Sequence, residues 1–160
     1  MAVRLPPFQT LLEEHRFDLY RFAVATAGPA DADDVVQETW IAALRAYPRL
    51  RRDDNLRAWL FRIAQNKAID AHRAAARRAL PSDRLPEGSA PAPPPDGQPE
   101  LWRMLRELPP KQRTAVFCRS VLGMRYDELA ALLESSEEAA RRNVHEGLKT
   151  LREELSDVER

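Results

Sequence analysis

Seven of the thirteen prolines fall within residues 80–99, LPSDRLPEGSAPAPPPDGQP, and this stretch constrains the fold more than any other. Proline lacks the amide donor that helices and central strands need, so such a run forms neither and serves as a semi-extended tether. Twenty residues without a periodic pattern mark a boundary between domains, not a loop within one. The 160-residue chain therefore divides into units at 1–79 and 100–160 with a linker at 80–99. Five glycines, few β-branched residues and abundant Ala, Leu, Arg and Glu point to helices in both units. The fold class expected is all-α, as two small helical domains, each with a core that is marginal alone.

Within the first unit, Phe8, Leu11, Leu12, Leu19, Tyr20, Phe22 and Ala23 set out a helix from Pro7 to about Ala27, ended by Gly28-Pro29. Asp31 or Asp33 is placed to cap a second helix, DDVVQETWIAALRAY. Val36, Trp40, Ala43 and Tyr47 share its apolar stripe, and Val35, Ile41 and Leu44 extend the apolar surface beyond it. A helix apolar on two sides suits either a wide core stripe or simultaneous packing on its own bundle and a partner. Pro48 ends it, and PRLRRDDN follows as a charged loop whose Asp53, Asp54 or Asn55 can cap the next helix.

That next helix, Leu56–Arg78, carries no Gly or Pro. Leu56, Trp59, Leu60 and Ile63 recur at helical spacing, while Arg57, Arg62, Lys67, Arg73, Arg77 and Arg78 lie mostly off that stripe. Phe61, Gln65 and Asn66 stand among these charges, a composition suited to a polyanion whose bases are also touched. A solvated amphipathic helix in a bundle would show the same periodicity. Net charge over the whole chain is zero, but the distribution is not even. Residues 1–44 carry three basic and seven acidic side chains, net −4, whereas residues 45–78 carry ten basic and three acidic, net +7. A basic loop leading into a basic helix makes one contiguous electropositive footprint beside an acidic one.

The second unit shows four helical patterns: Glu100–Leu108, Lys111–Leu122, Tyr126–Leu133 and Glu137–Leu155. The short YDELAALL, the turn at Glu134–Ser136 and the longer helix form a helix-turn-helix pattern, although a plain helical hairpin reads alike. If the longer helix enters a major groove, Arg141, Arg142, Asn143 and His145 occupy its exposed positions, where arginine can grip guanine and asparagine adenine.

DDVVQETWIAALRAYPRL with LRAWLFRIAQNKAIDAHR resembles region 2 of RNA polymerase sigma factors, and LRELPPKQRTAVFCRSVLGMRYDELAALL resembles the start of region 4. The order and the proline-rich joint are similar to the compact extracytoplasmic-function (ECF) group, over roughly residues 8–78 and 100–155. The resemblance implies a region 2 bundle at 1–79 and a region 4 helix-turn-helix at 100–160. It implies that Asp34, Gln37, Glu38 and Ile41 dock on the β′ clamp of core RNA polymerase, with the β subunit a further partner. It places Leu50, Arg51 and Arg52 in the loop that receives a flipped base of the −10 element. Asn66, Lys67, Asp70 and Arg73 then form the adjoining −10 surface, and Arg141, Arg142, Asn143 and His145 read the −35 element. Promoter DNA, core polymerase and an anti-sigma factor are the partners implied.

The chain departs from that pattern in region 4. Glu134 stands where a small residue, often Gly, is usual; Glu137-Glu138-Ala139-Ala140 replaces a Gly-Thr opening; Glu146 replaces a commonly basic position. These acids repel phosphates, implying weaker or altered −35 recognition, or reliance on polymerase contacts and the region 2 patch. The leading expectation is a promoter-specificity subunit that binds core polymerase and helps melt DNA. The alternative is a sigma-like regulatory protein whose region 4 binds an anti-sigma factor or activator more than DNA. An ordinary helix-turn-helix repressor lacks an evident ligand or dimerisation domain here.

Catalysis is not expected, nor a cofactor or metal. His15, His72 and His145 are scattered without ligand spacing, and Cys118, the single cysteine, excludes an internal disulfide or cysteine zinc site. The opening MAVRLPPFQTLL is no secretory signal, and no stretch approaches the roughly 18 apolar residues of a span, so a soluble cytoplasmic protein without membrane insertion is expected.

Overall fold

The computed structural model describes residues 5–51, 55–78 and 98–159. Helices α1 (Phe8–Ala27), α2 (Ala32–Ala46) and α3 (Leu56–Arg78) form the N-terminal unit, with a 3₁₀ turn at Tyr47–Arg49. Helices α4 (Pro99–Glu107), α5 (Pro110–Ser120), α6 (Tyr126–Leu133) and α7 (Glu137–Val158) form the C-terminal unit. Helix positions follow the sequence pattern closely. The 3₁₀ turn arises because Pro48 cannot continue α2, and α7 runs one turn beyond Leu155.

In the N-terminal unit, Leu11, Leu19 and Phe22 of α1 pack with Ala58, Phe61 and Ala64 of α3, while Ala23 and Val24 meet Val35 of α2 and Ala68 of α3. An aromatic group closes the far end. Phe8 stands edge-on to Trp40 at 5.9 Å and to Tyr47 at 5.3 Å, Tyr47 lies 6.2 Å from Trp59, and the Tyr47 hydroxyl donates to the Pro6 carbonyl. This knot fixes where the chain leaves α2, and therefore where Leu50 and Arg51 begin. Asp31 precedes α2 but makes no side-chain cap bond; Asp33 and Asp34 favour the helix through its N-terminal dipole instead.

In α3 the buried face differs from the expected stripe. Leu60, Phe61, Ala64, Gln65 and Ala68 are buried, whereas Leu56, Trp59 and Ile63 are only partly so. Phe61, read as an aromatic among surface charges, is 0% exposed. The face rotates because α3 is covered from two sides, by α1 and α2 and also by α6 and α5 of the C-terminal unit.

The C-terminal unit packs α7 across α5, and Gly147 makes this possible: a Cβ there would lie 2.5 Å from Val116 Cγ2. Arg113 is 2% exposed and donates from Nη1 to the Arg106 carbonyl at 3.1 Å, placing its charge at the negative C-terminal end of α4. Cys118 is fully buried, which pushes its thiol pKa up and leaves it an inert core residue. One continuous apolar cluster runs through both units: Phe22 meets Phe61 at 5.4 Å and Phe117 at 5.8 Å, and Trp102 meets Phe117 at 6.0 Å.

Candidate nucleic-acid and polymerase interface

The outer face of α2 carries Asp34, Gln37, Glu38 and Ile41, all exposed and within one turn-spaced stripe. Ile41 is 51% exposed and Leu44 beside it 56%, while Val35, Thr39 and Ala43 turn inward. Of the two readings of this apolar helix, the structure favours two distinct faces. An exposed Ile–Leu pair rimmed by carboxylates is a patch that a protein partner can cover.

A second surface starts where α2 ends. Leu50 is half-buried in extended backbone, its amide donating to the Tyr47 carbonyl at 3.1 Å, and Arg51 follows it into solvent. Arg52 lies outside the described residues, as do Asp53 and Asp54. Asn55 adopts a left-handed conformation at φ 60° and its carbonyl accepts the Trp59 amide, starting α3. Asn66, Asp70 and Arg73 then fall at i, i+4 and i+7, all exposed on one stripe, with half-buried Lys67 flanking it. Gln65, read with them as a surface amide, is buried and only opens onto the cleft below.

The third surface is the start of α7. The Ser136 hydroxyl accepts the Ala139 amide at 3.1 Å, a true N-cap, so the turn after α6 is built as a helix-turn-helix requires. Glu134 closes α6 in the left-handed region at φ 53°, with the Ser135 amide donating to the Ala130 carbonyl at 2.9 Å. That conformation is why a small residue suits position 134. Arg141, Arg142 and His145 are exposed and Asn143 is half-buried. The acidic departures have partners: Glu134 pairs with Arg62 at 3.3 Å, Glu137 with Arg141 at 4.0 Å, and Glu146 accepts from Gln112 Nε2 at 3.3 Å. Periodicity gave no sign of Tyr126, over whose ring both Arg119 and Arg141 stack, at 4.3 and 4.2 Å. This holds the Arg141 guanidinium in place at little entropic cost.

Nor did it show the contact between the units. Arg57 of α3 grips Glu128 of α6 through two hydrogen bonds, Nε to Oε2 at 2.9 Å and Nη2 to Oε1 at 2.8 Å. The Arg57 hydrogen bond holds the Glu128 carboxyl below its ordinary range, and the same bond raises the arginine. His15 lies beside this pair, and burial lowers its pKa. A cleft of about 620 Å³ opens next to it, with Arg62, Asn66 and Arg73 on one wall and Lys111, Glu134 and Asn143 on the other. Among the described residues no helix is long and apolar enough to cross a membrane, and no group of three or more His, Cys, Asp or Glu side chains is arranged to hold a metal.

An all-helical chain with a basic three-helix unit and a capped helix-turn-helix is a two-part DNA-binding protein. Residues 11–78 match the Sigma-70 region 2 family and residues 98–151 match Sigma-70, region 4. The chain is 38% identical to the ECF RNA polymerase sigma factor SigD of Mycobacterium tuberculosis over 159 residues, covering 91% of this chain and 75% of that one. The sigma factor RpoE of Bartonella quintana, solved with the anti-sigma factor NepR, is similar at a TM-score of 0.75 and 26% identity, over 93% of this chain and 96% of that one. CnrH, solved with the cytosolic domain of CnrY, is similar at 0.72 and 29% identity, over 94% and 88%. This chain belongs to the ECF group of RNA polymerase sigma factors.

Proposed function

We propose that the chain binds core RNA polymerase through the outer face of α2, opens the −10 element on the α3 surface, and reads the −35 element with the start of α7. The observation that carries this is the pairing of two unlike surfaces on one small bundle: an acidic and apolar α2 face, and a stripe of Asn66, Asp70 and Arg73 running on from Leu50 and Arg51. Ile41 and Leu44 supply apolar area to the β′ clamp, with Asp34, Gln37 and Glu38 as the polar rim. Arg51, Lys67 and Arg73 neutralise phosphates as a base leaves the stack toward Leu50 and Arg51. Capture of that base offsets an unstacking cost of a few kcal/mol, so melting needs no nucleotide hydrolysis. The protein acts by binding, without a catalytic step of its own, in the cytoplasm where polymerase and promoter meet.

At α7, Arg141 and Arg142 with Asn143 and His145 face the −35 duplex. The pairing of Glu134 and Glu146 with Arg62 and Gln112 softens the repulsion expected of them, which supports promoter reading over a purely protein-binding region 4. An anti-sigma factor is the expected regulator. Run-off transcription with purified core polymerase on a promoter library tests the reading. Specific starts sharing −10 and −35 motifs are expected; core binding without added transcription would favour the interaction-protein alternative.

A further inference from the structure

The two reading surfaces face the same cleft. Asn66 and Arg73 line one wall and Asn143 the other, around a volume of about 620 Å³, the size of a small-ligand site and far too small for a duplex. Elements named −10 and −35 lie about 25 base pairs apart, roughly 85 Å at about 3.4 Å per pair. Surfaces that share one cleft cannot meet both. The 20 residues between Arg78 and Pro99 reach at most roughly 70 Å when extended, enough to let the units part widely.

What holds them together is built, not incidental. Phe22, Phe61 and Phe117, each at most 1% exposed, form an aromatic contact from α1 and α3 to α5. Beside it the Arg57–Glu128 fork has side chains only 28% and 15% exposed. Bidentate arginine–carboxylate pairs out of water are among the strongest polar contacts, and removing one partner strands the other. No other chain is needed to make these contacts. The likeness to RpoE covers 93% of this chain, so the placement of both units is shared with a sigma factor held by its anti-sigma factor.

We propose that the chain closes on itself: region 4 docks on region 2 through the Arg57–Glu128 latch and the aromatic contact beneath it, and this closed state cannot engage a promoter until the latch breaks. The inference rests on the sigma-factor reading of the two surfaces. Core polymerase, by taking the α2 face and separating the units, would compete with closure, so the latch sets how much of the protein is competent at any moment.

The test is a double-mutant cycle on the full chain, Arg57→Gln, Glu128→Gln and both together, read by small-angle scattering and by run-off transcription at limiting protein. Circular dichroism confirms the helical fold of each variant. Each single substitution is expected to raise the radius of gyration and to lower the concentration for half-maximal transcription roughly tenfold, the effect of a conformational tax removed. The double variant should do no more than either single, since all three cut the same contact. Unchanged compaction and activity in both singles would overturn the latch, as would additive effects in the double. If neither wild type nor variants support transcription, the promoter reading fails instead. Scattering then decides the latch alone: expansion in the singles sustains it and an unchanged radius refutes it.

Discussion

Replacing Phe61 with alanine separates a core ring from a base-stacking one. The ring is 0% exposed and stands edge-on to Phe22 at 5.4 Å, with the His15 ring at 6.5 Å. Deleting a fully buried phenyl group costs about 3–5 kcal/mol in lost transfer free energy and residual cavity. A domain of this size has about 5–15 kcal/mol in total, so the substitution removes a third or more of it. At roughly 2–4 °C per kcal/mol the melting temperature should fall by about 6–20 °C. Phe61→Leu keeps most of the volume and should cost about 1.5 kcal/mol or less. Urea unfolding followed by circular dichroism at 222 nm reads both variants. A loss below about 1 kcal/mol for Phe61→Ala, together with weakened −10 binding, would refute the burial argument and restore the ring to the DNA surface.

Three further substitutions test other contacts. Gly147→Ala sets a Cβ against the stiff Val116 side chain at 2.5 Å; overpacking of about 1–3 kcal/mol outweighs a helix-propensity gain of about 1, and adding Val116→Ala should recover the loss in thermal melts. Glu134→Gly relieves a left-handed residue and should stabilise the chain by about 0.5–1 kcal/mol in urea unfolding, because the pair it gives up with Arg62 is mostly solvated. His15 has its pKa lowered by burial, opposed by Glu14, Asp18 and Glu128 and reinforced by Arg57. A depressed base contributes stability that is full above its unfolded pKa of about 6.5 and declines as pH falls through the folded value. Unfolding free energy should therefore drop between pH 7.5 and 5.5, and His15→Gln should flatten the decline.

Periodicity and punctuation made most of the helices legible. Tyr126–Leu133 and Leu56–Arg78 fall where the pattern set them, because Gly, Pro and the turn residues bound them locally. The orientation of α3 was not legible. Its buried face depends on Phe117 and Leu129 arriving from far along the chain, which no window over residues 56–78 contains. The same limit hid Arg57–Glu128, a pair 71 residues apart, and Tyr126 as the seat of Arg141. The outward face of α2 could be read only in part. Apolar residues on two sides announced two contacts, but only the burial of Val35 and Ala43 against exposed Ile41 says which side is free. The acidic residues of region 4 read as a defect in sequence; the ion pair of Glu134 with Arg62 assigns one of them to the contact between units.

The measurement that bears most directly on the account is promoter opening itself, followed by the fluorescence of 2-aminopurine placed in the −10 element of a promoter this protein starts from. Added with core polymerase and no nucleotide, the protein should raise the fluorescence as the base leaves the stack, and Asn66→Ala with Arg73→Ala should abolish the rise while core binding persists. A flat signal with wild type on a promoter that still gives run-off transcript, or a full rise with the double variant, would contradict the placing of DNA melting on the α3 surface.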